Sequence, residues 1–163
     1  MAEPVGGTPG ADPAGFELPL LLFAGFRSVI DALHAELAEE GHAGLSPAHG
    51  YALQAVGLAG STAGEIGRRL GVSKQAAGKT VEKLEALGYV ERLDDPHDGR
   101  RKLVRLSPHG IDMLTRSAEG FDRLRAAWVR TLGADRVRAL EDDLRTMAGA
   151  DANRLDMAAW FNG

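Results

Sequence analysis

The stretch TAGEIGRRLGVSKQAAGKTVEKLEALGY, residues 62–89, places two short amphipathic helices around one break. Thr62 with Glu65 three residues on has the form of a capping box, so a helix starts there. Leu70-Gly71-Val72 interrupts it, Ser73 caps a second helix running to about Leu87, and Gly88 supplies the residue without Cβ that closes helices in the left-handed conformation. Ile66 and Leu70 on the first helix and Ala77, Val81 and Leu84 on the second fall on one inward face. The pattern predicts a helix-turn-helix, with Lys74, Gln75, Gly78, Lys79 and Glu82 left as an outward stripe on the second helix.

Beyond residue 89 the pattern changes from helical to alternating. Tyr89 to Leu93 and Arg101 to Leu106 read as strands joined by the six turn-forming residues Asp94 to Gly99, giving a hairpin with a charged tip. From Arg68 to Arg105 there are ten Lys/Arg against six Asp/Glu, a local charge of +4 in a chain whose net charge is −4. A basic module inside an acidic protein points to an anionic partner. Gln75 has the two-pronged amide that matches an adenine edge, and Lys74 and Lys79 can reach guanine acceptors or phosphates. Arg68, Arg69, Lys83, Arg101, Lys102 and Arg105 add phosphate-contact charge, and Ser73 stands at the start of the same helix. Arg100 at the hairpin tip is suited to a narrow minor groove, and Asp98 is expected to hold its guanidinium extended through a bidentate pair.

The flanks are helical. Residues 1–15 are a Gly/Pro/Ala tail without periodicity, read as disordered. Residues 16–45 hold a helix whose apolar residues (Leu18, Leu22, Phe26, Val29, Leu33 and Leu37, with Phe16, Leu20, Phe23 and Ile30) cover more than half of its circumference, which calls for packing from two sides. Ser46-Pro47 and Ser107-Pro108 are cap-then-proline helix starts. The second opens a long helix with its stripe at Ile111, Leu114, Ala118, Phe121, Leu124, Trp128 and Leu132, broken at Gly133 before a last helix with Val137, Leu140, Leu144 and Met147. Met157, Trp160 and Phe161 close the chain. The expected division is a tail (1–15), an N-terminal helix (16–45), a lobe holding the helix-turn-helix and hairpin (46–106) and C-terminal helices (107–163).

The helix pair ending LEALGYVER, the hairpin DDPHDGRRKLVRLSPHG and the two long helices after it resemble the winged-helix regulators of the MarR (multiple-antibiotic-resistance regulator) family, over nearly everything from Phe16 to about Ala150. The resemblance implies a mainly α fold: a winged helix-turn-helix with a two-stranded β-wing and an intertwined helical dimerisation region. It places Asp98 and Arg100 on the family's Asp-x-Arg wing signature, the arginine entering the minor groove, and the helix from Ser73 on the recognition helix. It also implies a homodimer, most often a repressor, reading a pseudo-palindromic operator in double-stranded DNA, with residues 16–45 and 107–163 as its dimerisation helices and 46–106 as its DNA-binding lobe; a cytoplasmic location is expected from the sequence itself. For a two-fold dimer the half-sites should lie about 10 to 10.5 base pairs apart. Many relatives release DNA on binding a small aromatic or anionic effector. Phe23, Arg27, His34, His49 and Tyr51 are the candidates for that role here, although Arg27 and Asp31 also have the spacing of an ordinary surface pair.

Composition excludes other classes. The chain has no cysteine, hence no disulfide, thiol nucleophile or cysteine redox switch. His34, His42, His49, His97 and His109 include no pair at helical metal-ligand spacing, and no cofactor or metal is implied. No basic-then-apolar leader opens the sequence, and no run of uninterrupted apolar residues reaches membrane-spanning length, so no membrane partner is expected. Nucleotide loops and nucleophile elbows are missing, leaving a small helical enzyme as the weaker alternative beside a winged-helix interaction module that does not read DNA.

Overall fold

A computed structural model describes residues 14–96 and 98–149, and its elements follow the capping signals closely. Helix α1 spans Glu17–Glu39, α2 Pro47–Val56, α3 Ala63–Leu70 and α4 Lys74–Ala86; strands β1 (Val90–Asp95) and β2 (Asp98–Leu106) form the wing; α5 (Pro108–Leu132) and α6 (Ala134–Ala148) follow. The expected tail (1–15, of which 14 and 15 are described), His97 and the apolar terminus with Met157, Trp160 and Phe161 lie wholly or mostly outside the described residues.

The caps form as expected. The Thr62 hydroxyl accepts from the Glu65 amide while a Glu65 carboxylate oxygen accepts from the Thr62 amide at 2.7 Å, a complete capping box. Ser73 and Ser107 accept from Ala76 and Gly110. At Ser46 the reciprocal partner is a histidine, the Ser46 amide donating to His49 Nδ1 at 3.1 Å. Gly71 takes the left-handed conformation (φ 67°) that turns α3 into α4.

The core sits in the lobe. Ile66, Ala77, Val81 and Leu84 are fully buried with Leu53, Val56, Val90 and Val104, and Leu33 and Leu37 of α1 and Met113 of α5 join them. Strands β1 and β2 are antiparallel with Val90 opposite Leu106 and Asp94 opposite Lys102. They run further than the sequence suggested. Only Pro96 and His97 separate them, because the ladder continues past an irregularity at Asp94/Asp95 to an Asp95–Asp98 pair. Ser61 adds a third, one-residue bridge to Val104, its amide and carbonyl each bonded at 2.9 Å.

Helix α5 departs from expectation. Its buried positions are Gly110, Met113, Ser117 and Gly120, not the stripe of large residues. Small side chains let α1 approach: a Cβ on Gly120 would lie 2.5 Å from Leu33 Cδ1. Ile111, Phe121 and Leu132 stay exposed on the open side, together with Phe16, Leu18, Leu20, Leu21, Leu22 and Phe23 at the start of α1. By length and composition α1 could span a membrane (mean hydropathy 1.4), but Arg27, Asp31 and His34 interrupt it and its second half packs into the core through Ile30, Leu33 and Leu37.

Candidate nucleic-acid interface

Helix α4 is amphipathic in the sense the sequence required. With Ala77, Val81 and Leu84 inside, Lys74, Gln75, Lys79, Glu82 and Lys83 are exposed and Gly78 is half-buried. Strand alternation puts Arg100, Lys102 and Val104 on one face of β2. Lys102 and Val104 line a cleft of about 490 Å³ whose opposite wall is Lys74, Gln75, Gly78 and Glu82. Wing and α4 therefore flank one groove. Among the described residues, Lys74, Lys79 and Arg100 form no ion pair, so their charge is available to an incoming anion.

Arg92, which no local sequence pattern singles out, completes the groove. From β1 its guanidinium reaches Glu85 at 3.4 Å and Glu82 at 3.8 Å and donates to the Gly78 carbonyl at 3.4 Å, tying the wing to the middle of α4. Its signal was register: Arg92 lies opposite Val104 and so projects to the face that packs on α4. At Gly78 an added Cβ meets nothing within 4 Å. Gly78→Ala should therefore stabilise the helix by up to about 1 kcal/mol in a thermal melt. The same methyl group would obstruct close approach to the groove, so DNA affinity should fall while stability rises.

Other expected phosphate contacts sort differently. Arg68, Lys83 and Arg105 are exposed. Arg101 lies 3.9 Å from Glu65, and Lys102 is paired with Asp94. Ser73 is exposed, with its hydroxyl oxygen occupied in capping α4. Arg69 differs from expectation: although exposed, its guanidinium is engaged, donating to the Ala55 carbonyl and to Ser61 Oγ, whose own proton goes to the Val56 carbonyl at 2.8 Å. Short separations in sequence brought Arg68 and Arg69 together on paper, but on a helix they point about 100° apart. Arg69→Ala should cost about 1–2 kcal/mol of stability through stranded acceptors and leave the salt dependence of DNA binding unchanged.

The wing tip needs a second correction. Asp98 Oδ1 accepts from the backbone amide of Arg100 at 3.0 Å and forms no bidentate pair with its guanidinium. The carboxylate thus fixes the backbone turn, a local bond made two residues on, and leaves the arginine head free.

The five effector candidates do not converge. Phe23 is about half exposed, and Arg27 pairs with Asp31 at 3.7 Å on an exposed face. His34 and Tyr51 line a cavity of only about 40 Å³ between α1, α2 and α5, whereas His49 is held in the α2 cap. Burial lowers the pKa of His34 against the opposing pull of Asp31. It also lowers that of His49, with Lys83 and His34 adding to the effect, and it raises that of the Tyr51 phenol. For both histidines the folded value lies below the unfolded one near 6.5, so the unfolded chain takes up protons first as pH falls. Their stabilising contribution is full above about pH 6.5 and is lost below it. Protonation at Nδ1 of His49 also ends its bond to Ser46. The melting temperature should fall between pH 7.5 and 5.5, and the double change His34→Gln, His49→Gln should flatten that slope.

Comparisons with known proteins agree with this geometry. Residues 43–101 match the MarR family. A stretch of 43 residues is 44% identical to YcgE of Bacillus subtilis, described as an uncharacterised HTH-type transcriptional regulator; the stretch is 26% of this chain and spans only 28% of that relative. Among solved structures, YusO of Bacillus subtilis superposes with a TM-score of 0.64 at 18% identity, over 83% of this chain and 94% of its own. MarR of E. coli gives 0.61 at 23%, over 85% and 99%. A MepR mutant of S. aureus, solved bound to an oligodeoxyribonucleotide, gives 0.59 at 17%, over 83% and 96%. At these identities the structural likeness shows the fold, mainly helical with a two-stranded wing and packed terminal helices. MarR-family proteins are regulators and not enzymes. Residues 43–101, which hold the helix-turn-helix and most of the wing, are thus similar to the MarR family, and the described chain has the fold of solved MarR-family transcription regulators.

Proposed function

We propose that the protein is a cytoplasmic, homodimeric, sequence-specific repressor that places α4 in the major groove and the wing, residues 94–101, in the minor groove of each half of a pseudo-palindromic operator. The observation that carries this reading is the groove flanked by Lys74, Gln75 and Gly78 on one side and Lys102 on the other, with Lys74, Lys79 and Arg100 free of ion pairs among the described residues. The DNA-bound MepR mutant of the same fold supports it. Residues 16–45 and 107–163 serve as the dimerisation frame. Leu18, Leu21 and Leu22 of α1 and Phe121 of α5 are exposed in the single chain, and apolar surface of that extent is characteristic of a buried interface. Arg68, Lys83, Arg101 and Arg105 supply phosphate contacts. A small aromatic or anionic effector would enter beside His34 and Tyr51, which requires their 40 Å³ cavity to open toward the several hundred Å³ typical of ligand sites.

Fluorescence anisotropy against duplexes tiled across the region upstream of the protein's own gene, at two salt concentrations with competitor DNA, tests the reading. Tight binding to one tile with a steep loss at higher salt is expected. If random-sequence selection also yields no preferred site, the interaction-module alternative replaces it.

A further inference from the structure

The junction between frame and lobe is organised around a buried histidine that the DNA-binding reading does not use. Gly41, at φ 96°, turns the chain at the end of α1 and sends the His42 ring inward, where its side chain is 1% exposed. Nδ1 lies 3.2 Å from the Tyr89 hydroxyl and Nε2 lies 3.0 Å from Asp112 Oδ2. The ring of His109 stacks 4.5 Å from both His42 and Tyr89. Asp112 is held in turn by Arg116 at 2.8 Å, and Arg116 by Glu40 at 3.1 Å, back at the end of α1.

Tyr89 occupies the hinge of the reading head. Its amide closes the end of α4 on the Leu84 carbonyl, and β1 begins at the next residue. His42 therefore connects the last turn of the recognition helix and the root of the wing to α1 and α5 at once. Both ring nitrogens are committed, and among the described residues no buried side-chain polar atom lacks a partner. A network of this kind has one low-energy arrangement, because rotating the lobe on the frame would strand a buried donor or acceptor.

We propose that His42 is a positioning residue that fixes the angle of the DNA-reading lobe on the dimerisation frame and thereby sets the half-site spacing the dimer accepts. The proposal rests on the dimeric DNA-binding reading above. In a two-fold dimer each lobe swings about its own junction, so a small error at residue 89 is carried to the far ends of both recognition helices and changes their separation.

The test is a set of operator duplexes in which the half-sites are moved apart or together by one or two base pairs. Binding is measured for the wild type, Tyr89→Phe and His42→Leu, with melting temperatures recorded alongside. Tyr89→Phe keeps the ring and its stack on His109 and loses only the hydroxyl, so it keeps the test alive if His42→Leu does not fold. The wild type should prefer one spacing, and that preference should shrink by about fivefold in the variants while binding to a single half-site is unchanged. A structural role alone would weaken all spacings by one common factor, and that outcome, or an unaltered profile, overturns the proposal. A wild type with no spacing preference would instead remove the dimeric reading, and this inference with it.

Discussion

Arg100→Ala is expected to weaken binding to every operator by roughly tenfold or more, and to do so without changing which sequence is preferred. Arg100 is exposed at the wing, its guanidinium is free of acidic partners among the described residues, and its backbone amide is pinned by Asp98. The cation is thus presented on a fixed turn, and its contribution is electrostatic. In the proposed dimer, losing both wing arginines should reduce the slope of log affinity against log salt by about 1.8. Gln75→Ala should behave in the opposite manner, relaxing the preference at one base position per half-site with a small change in salt slope. Equal and sequence-independent losses from the two substitutions would contradict this division of labour. Measuring both on the preferred site and on single-base variants at two salt concentrations separates the outcomes.

The largest expected effect on stability comes from Gly110→Ala. A Cβ at this position would sit 2.1 Å from the Tyr89 carbonyl oxygen and 3.4 Å from Leu106 Cδ2. The obstacle is backbone at the close approach of α5 to the end of the recognition helix, where Ser107 Oγ donates to the Gly88 carbonyl and the Ser107 amide to Tyr89. Neither partner can yield without opening the junction. A loss of more than about 3 kcal/mol is expected, corresponding to a melting temperature lower by about 10 °C in a chain of this size. Gly78→Ala, equally a glycine inside a helix, serves as the control and should melt higher than the wild type.

These two glycines also mark what the sequence could and could not disclose. Caps and amphipathic faces depend on residues three or four apart, so Thr62, Glu65, Ser73, Gly71, Ala77, Val81 and Leu84 were placed correctly from local pattern alone. The packing of α5 depends on what lies against it. Its periodic large residues looked like the core stripe, whereas α1 selects the small residue at Gly120 and the end of α4 selects Gly110; of the stripe, Ile111, Phe121 and Leu132 are left exposed while Leu114 and Leu124 pack, partly buried, against the core. The same holds for the site. The exposure of Lys74, Gln75 and Lys79 was legible because they are what remains when the buried face of α4 is subtracted. Arg69 and Arg68 look alike in sequence, and the Ala55 carbonyl and Ser61 hydroxyl beside Arg69 separate them. Arg92 and His42 act through partners up to 70 residues away, at Gly78, Glu85, Tyr89 and Asp112, and no spacing rule connects such positions.

The most direct test of the central claim is methylation interference on the preferred operator, because dimethyl sulfate marks guanine N7 in the major groove and adenine N3 in the minor groove of the same duplex. Two clusters of major-groove interference about one helical turn apart are expected, each accompanied by a minor-groove signal that disappears with Arg100→Ala. Interference confined to one groove, or a minor-groove signal that survives Arg100→Ala, would contradict it.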